Sequence, residues 1–121
     1  MAWDLLANMY LRGEGTKKNI AKAEEWKLRA AEKNIPEVQA ELAEWYYSGK
    51  DLKQDYKKSL KWFEAAGASG HVFALYNAGV QYENGEGIPA DKNKAIEYYR
   101  KAAAGGLKAA EDAIKRLVPE K

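Results

Sequence analysis

The chain has 121 residues, enough for one domain, and its 46% apolar and 31% charged content excludes a wholly disordered polymer. Twenty basic against eighteen acidic side chains leave +2, too little to draw the whole molecule to nucleic acid or a membrane surface. There is no cysteine, so disulfides, thiolate catalysis and zinc sites built on Cys are excluded together.

The first predicted helix covers residues 1–12. Its start, Met1-Ala2-Trp3-Asp4-Leu5-Leu6, has no basic segment ahead of an apolar one and does not read as a secretory signal. No apolar run in the chain nears the ~20 residues a bilayer span needs, so a cytoplasmic location and no membrane contact are expected. Ala2, Trp3, Leu5, Leu6 and Met9 make this helix apolar on more than one side. Terminal units of stacked helices usually turn a polar face outwards. Either self-association through Trp3, Leu5 and Met9 covers that face, or the chain is cut from a longer array.

A second helix is expected over 19–34, and the pair then recurs over 37–48 and 55–69, and over 71–84 and 91–104. The recurrence has a strict step. Tyr10, Tyr46 and Tyr82 are 36 residues apart, as are Gly13, Gly49 and Gly85, and Lys22, Lys58 and Lys94. Trp26, Trp62 and Tyr98 keep the step as aromatics, Ala30, Ala66 and Ala102 as alanines, and Asn19, Asp55 and Asp91 as cap formers. Asn34, Gly70 and Gly106 close the units. In the third unit Ala74, Ala78 and Tyr82 form one apolar stripe, and Ala95, Tyr98, Tyr99, Ala102 and Ala103 another. Gly85 suits a left-handed helix end and Asp91 an N-cap. Pro36 falls where a first helical turn tolerates proline, and Pro119 beyond the last helix.

The units are expected at residues 2–37, 38–73 and 74–106. A capping helix over 107–118 follows, with Ala110, Ala113, Ile114 and Leu117 inward and Lys108, Glu111, Asp112, Lys115 and Arg116 outward. Strand signals are absent. The fold class is all-α: three helical hairpins and a cap.

The third unit, with Ala74, Ala78-Gly79, Tyr82, Gly85, Gly87-Ile88, Asp91, Lys94-Ala95, Tyr98-Tyr99, Ala102-Ala103 and Gly106, closely resembles the Sel-1-like repeat, a relative of the tetratricopeptide repeat. The second carries Leu42-Ala43, Tyr46, Gly49, Asp55, Lys58, Trp62-Phe63, Ala66 and Gly70. The first carries Leu6-Ala7, Tyr10, Gly13, Gly15, Lys22-Ala23, Trp26 and Ala30-Ala31. Asp51, Ser59 and Gly67 depart from the pattern and are expected to soften the middle unit. The resemblance implies a right-handed α-α superhelix whose first helices line a concave groove, and a role as an adaptor for other proteins.

No catalytic residue, metal site or cofactor is expected. His71 is the only histidine and reads as structural. Gly13-Glu14-Gly15 and Gly85-Glu86-Gly87 lack the lysine and hydroxyl that a phosphate loop requires, and read as turns. Carboxylate pairs such as Glu41 with Glu44 belong to wet helix faces rather than to acid–base chemistry. Over the first helices five acids face one base, whereas the second helices hold eleven bases and seven acids. Phosphate binding needs the opposite sign on the reading face, so nucleic acid in the groove is disfavoured. Lys57, Lys58, Lys61, Lys92 and Lys94 then make a solvated outer face.

Groove-facing positions follow from the stripe: Asp4, Asn8 and Arg12; Ala40, Glu41, Glu44 and Tyr47; Tyr76, Asn77, Val80 and Glu83. Aromatics among acids and amides suit a basic peptide or protein segment, with Tyr47 and Tyr76 as exposed anchors. Two roles are expected of such a surface. One is a non-catalytic interaction module; the other is a small bacterial immunity or inhibitor protein that neutralises one toxin or enzyme.

Overall fold

The computed structural model describes residues 20–50 and 52–118, and over them the chain is helical with no strand. The first predicted helix, with Trp3, Asp4, Leu5, Asn8, Met9 and Arg12, lies outside the described residues, as do Asp51 and Pro119. Within them run α1 (Ile20–Ala31), α2 (Pro36–Ser48), α3 (Tyr56–Ala68), α4 (Val72–Asn84), α5 (Lys92–Ala104) and α6 (Lys108–Leu117). Each helix packs on the next in sequence. Direct ties also join alternate helices: Arg116 of α6 reaches Glu83 of α4, and Tyr98 of α5 reaches Glu64 of α3. Two layers result, α2, α4 and α6 in one and α1, α3 and α5 in the other. The all-α solenoid expected from the period is present.

The core is built from the repeated small residues. Ala23, Ala30, Ala66, Ala74, Ala78, Ala95, Ala102 and Ala110 are fully buried, so helices approach closely at these positions. Leu42, Phe63 and Tyr99 fill the space between them. Burying one such large side chain contributes about 1.5–3 kcal/mol.

The helix ends repeat as well. Asp55 accepts from the Lys58 amide at 3.1 Å and Asp91 from the Lys94 amide at 3.0 Å, as N-caps should. Each of these aspartates also donates its own amide at 2.8 Å to the carbonyl of the unit's tyrosine, Tyr46 or Tyr82. One residue thus starts the second helix and fixes the loop against the first. Gly49 and Gly85 close α2 and α4 in the left-handed region, at φ of 66° and 72°. Gly87 has a stricter requirement. Its φ is 79°, and a Cβ there would stand 2.7 Å from the Tyr56 carbonyl carbon, so only glycine lets this loop meet the start of α3.

Two of the departures in the middle unit, Ser59 and Gly67, lie among the described residues, and both are buried. Ser59 is fully buried and donates to Gln81 Oε1 at 2.9 Å. The methyl missing from Gly67 leaves room for Leu75, whose Cδ2 would lie 2.8 Å from a Cβ at that position. Both residues are fitted to the unit that follows.

Candidate partner-binding surface

His71 sets the start of α4. Its amide closes the end of α3, donating to the Ala66 carbonyl at 3.1 Å, while the Gly70 amide donates to the Gly67 carbonyl at 2.9 Å. Its Nδ1 then accepts the Ala74 amide at 3.1 Å. Ile35 and Leu107, in the same phase, hold the caps of α2 and α6 without a side-chain bond. The lone histidine therefore serves as an N-cap. Among the described residues, no group of three or more His, Asp or Glu stands close enough to hold a metal ion.

The outward face of the α2–α4–α6 layer is read from burial. On α4 the buried residues are Ala74, Leu75, Ala78, Gly79, Gln81 and Tyr82, which leaves Phe73, Tyr76, Asn77, Val80 and Glu83 on the other side. On α2 the exposed positions include Glu37, Glu41 and Glu44. On α6 they include Ala109, Asp112 and Arg116. An open depression of about 370 Å³ lies between α4 and α6, lined by Tyr76, Ala109, Asp112, Ala113 and Arg116. One repeat earlier the same phases hold Ala40, Phe73, Tyr76, Asn77 and Val80. Ala40 is only 5% exposed and belongs to the hydrophobic core, which corrects its expected outward position.

Several of the expected groove residues are committed within the chain. Glu41 accepts from Lys27 Nζ at 3.0 Å. Lys27 is fully buried, in the phase of the core aromatics Phe63 and Tyr99, with its ammonium over the Trp45 ring at 4.8 Å. Tyr47 is half-buried and not an exposed anchor: its hydroxyl donates to Glu86 at 2.9 Å, and its ring packs 5.3 Å from Tyr56. Burial and the Glu86 carboxylate push its phenol up to about 12. Tyr76 is also half-buried, its ring 5.4 Å from that of Tyr99. Glu83 accepts from both Arg116 nitrogens, at 2.5 and 3.1 Å, and from the Tyr99 hydroxyl at 2.7 Å. Those donors, Arg116 first, hold its carboxyl below the ordinary value against the opposing effect of burial.

Glu44, Asn77 and Val80 complete the expected set within the described residues; Glu44 is exposed, and the other two are half-buried. Phe73, Glu37, Asp112 and Arg116 were not among the residues expected there. Phe73 is 61% exposed, the largest exposure among the big apolar side chains described. The signal for all four is the 36-residue step. It places Glu37, Phe73 and Ala109 in one phase, and it puts the helix read as a cap in register with the first helices.

The Sel1 repeat family model matches residues 5–35, 36–71 and 72–107. A Sel1 repeat protein from Oxalobacter formigenes is 36% identical, with a TM-score of 0.81 over 95% of this chain and 86% of that one. The c5321 protective antigen of uropathogenic Escherichia coli, which displays an SLR fold, is 32% identical with a TM-score of 0.84. It covers 96% of this chain, which spans only 25% of the antigen. Helicobacter pylori cysteine rich protein B shares the fold at 21% identity and a TM-score of 0.72, over 93% of this chain and 86% of its own. No curated protein matches the chain.

Proposed function

The chain belongs to the Sel1 repeat family, and we propose that it is a non-catalytic interaction module that holds a protein segment on the outward face of α2, α4 and α6. Sel1 repeats are in general scaffolds for protein–protein interaction, and the family is typically without catalysis. The observation that carries the finer reading is Phe73. A phenylalanine 61% exposed beside Tyr76 and Val80 gains nothing from water and gains by being covered. The expected groove residues Glu44, Tyr76, Asn77 and Val80 share that face. Glu37 and Glu44 on α2 make it acidic there, which favours a protein over a nucleic acid as its occupant.

Site-specific photocrosslinking tests the face. A photoreactive residue at position 80 should give protein adducts in a bacterial lysate that the same residue at Lys57, in the other layer, does not. Equal adducts from both positions would refute the placement. One dominant, tightly held adduct would point to the inhibitor role, and several weaker ones to an adaptor.

A further inference from the structure

The acids on the outward face are not equivalent. Glu41 is neutralised by buried Lys27, and Glu83 by Arg116 and Tyr99. Glu86 is engaged by Tyr47. Glu37 and Glu44 are exposed, and among the described residues neither has a hydrogen bond or an ion pair. They stand seven residues apart on α2, about 10 Å along one side of the helix. One repeat further on, the same phases hold Phe73 and Val80, on α4 of the same layer. Two open carboxylates thus border an apolar strip formed by Phe73, Tyr76 and Val80. On the other side α6 brings the already paired Arg116 and one further exposed acid, Asp112, which lines the depression with Tyr76.

We infer that the occupant of this face is a protein segment with two basic side chains about 10 Å apart and an apolar side chain between them. Glu37 and Glu44 receive the cations, and Phe73 with Val80 receives the apolar group. The inference rests on the groove reading above. Its geometry restricts the segment. Lys or Arg at i and i+3 of a polyproline II stretch, or at i and i+7 of a helix, has the required span of about 10 Å. Anionic partners, whether nucleic acid or lipid headgroup, meet the wrong sign.

The test is selection of a phage-displayed library of random short peptides on the full chain, with affinities of the selected peptides then measured by fluorescence anisotropy. The expected peptides carry two spaced basic residues around an apolar one. Glu37→Gln/Glu44→Gln should weaken them about fivefold, more at low salt than at high. Phe73→Ala should weaken them about tenfold. Glu97→Gln, the same kind of change at one position in the other layer, should leave them unchanged. All of these positions are exposed, and circular dichroism checks that each variant folds. Val80→Arg blocks the face with a side chain that α6 already carries in the same phase, at Arg116. Peptides lost on Val80→Arg but indifferent to the double glutamine variant would overturn the inference and leave the groove reading standing. Peptides indifferent to Val80→Arg would overturn both. A library that yields no binder would overturn the inference, because such short basic-and-apolar segments are present in it.

Discussion

Two successive interfaces of the stack, α3 with α4 and α5 with α6, use the same repeat phases and opposite chemistry. At the first, Ser59 and Gln81 are both fully buried and bonded at 2.9 Å. The Gln81 amide also donates to the Tyr56 carbonyl at 2.9 Å and the Glu86 carbonyl at 3.0 Å. At the second, the same phases hold Ala95 and Leu117, and the polar tie of α6 runs past α5 to α4, at the rim, as the Glu83–Arg116 pair. An interior interface is covered on both sides and can keep a saturated polar network dry. The Glu83–Arg116 pair is exposed on its Arg116 side, so it is screened by salt. One repeat pattern therefore supports a joint specified by buried hydrogen bonds and a joint that can release.

Alkaline pH is the broadest way to break both joints, and the largest expected effect. Tyr46, Tyr47, Tyr82, Tyr98 and Tyr99 all have phenols raised by burial first and then by a carboxylate partner, Tyr47 and Tyr82 to about 12. A group whose folded pKa is raised binds its proton more tightly when folded. Its contribution is complete below the unfolded value of about 10 and is lost as pH rises through the folded one. Stability should fall steeply from about pH 10 to about pH 12, with the delayed tyrosinate absorbance and the loss of helical circular dichroism coinciding. Ionisation of all eight tyrosines at about pH 10 with the helices intact would contradict the ties described.

Gln81→Leu sharpens the comparison, because it writes the α6 residue into the α4 joint. Apolar volume is kept, but the Tyr56 and Glu86 carbonyls lose their donor, at a cost of about 3 kcal/mol. Ser59→Ala leaves only Gln81 Oε1 without its partner and should cost about 1 kcal/mol. Urea unfolding orders the two. If Gln81→Leu were as mild as Ser59→Ala, the backbone carbonyls would not be the reason the glutamine is there.

At the other joint the expected effect is local. Glu83 has its folded pKa lowered, so its contribution is present above the ordinary carboxylate range and lost as pH falls through the folded value. Lowering pH that far, or adding salt, should speed hydrogen exchange in α6 before α4. Arg116→Gln should produce the same pattern at neutral pH. Uniform protection across α4, α5 and α6 under those conditions would mean that the rim pair does not hold the last helix.

The period made most of this legible. Repeated Tyr, Gly and Ala phases indicate two helices per unit, and Asp91 and Gly85 cap where the spacing predicts. What one unit's pattern cannot display is how side chains differ between units in the same phase. Lys27 stands where Phe63 and Tyr99 stand, and its Glu41 partner sits in the next unit. Tyr47 reads as an exposed anchor because Glu86, which takes its hydroxyl, is 39 residues away. Among the described residues Phe73 shares its phase with Glu37 and Ala109 and with no other large apolar residue, so the repeated pattern alone does not show its 61% exposure.

The smallest expected effect concerns the closing turns. Gly70 and Gly106 end α3 and α5 at φ of 91° and 96°, each with two backbone bonds, the residue's own amide on the carbonyl three back and the next amide on the one five back. Asn34 holds the same phase at φ 61°, with its amide on the Ala31 carbonyl at 3.1 Å. A left-handed conformation costs an L residue about 1–2 kcal/mol, least for asparagine, whose short amide bonds locally. Asn34→Gly removes that strain but frees the unfolded chain, so the net gain should be only a few tenths of a kcal/mol. Asn34→Ala puts a residue less tolerant of positive φ in the same conformation and should cost about 1 kcal/mol. Ile35, extended ahead of Pro36 at φ −97° and ψ 107°, already fixes the exit from this turn. The glycine variant is therefore expected to alter stability without altering the angle between α1 and α2. A clear loss of stability in Asn34→Gly would show that the asparagine side chain, and not its tolerance of positive φ, closes the first unit.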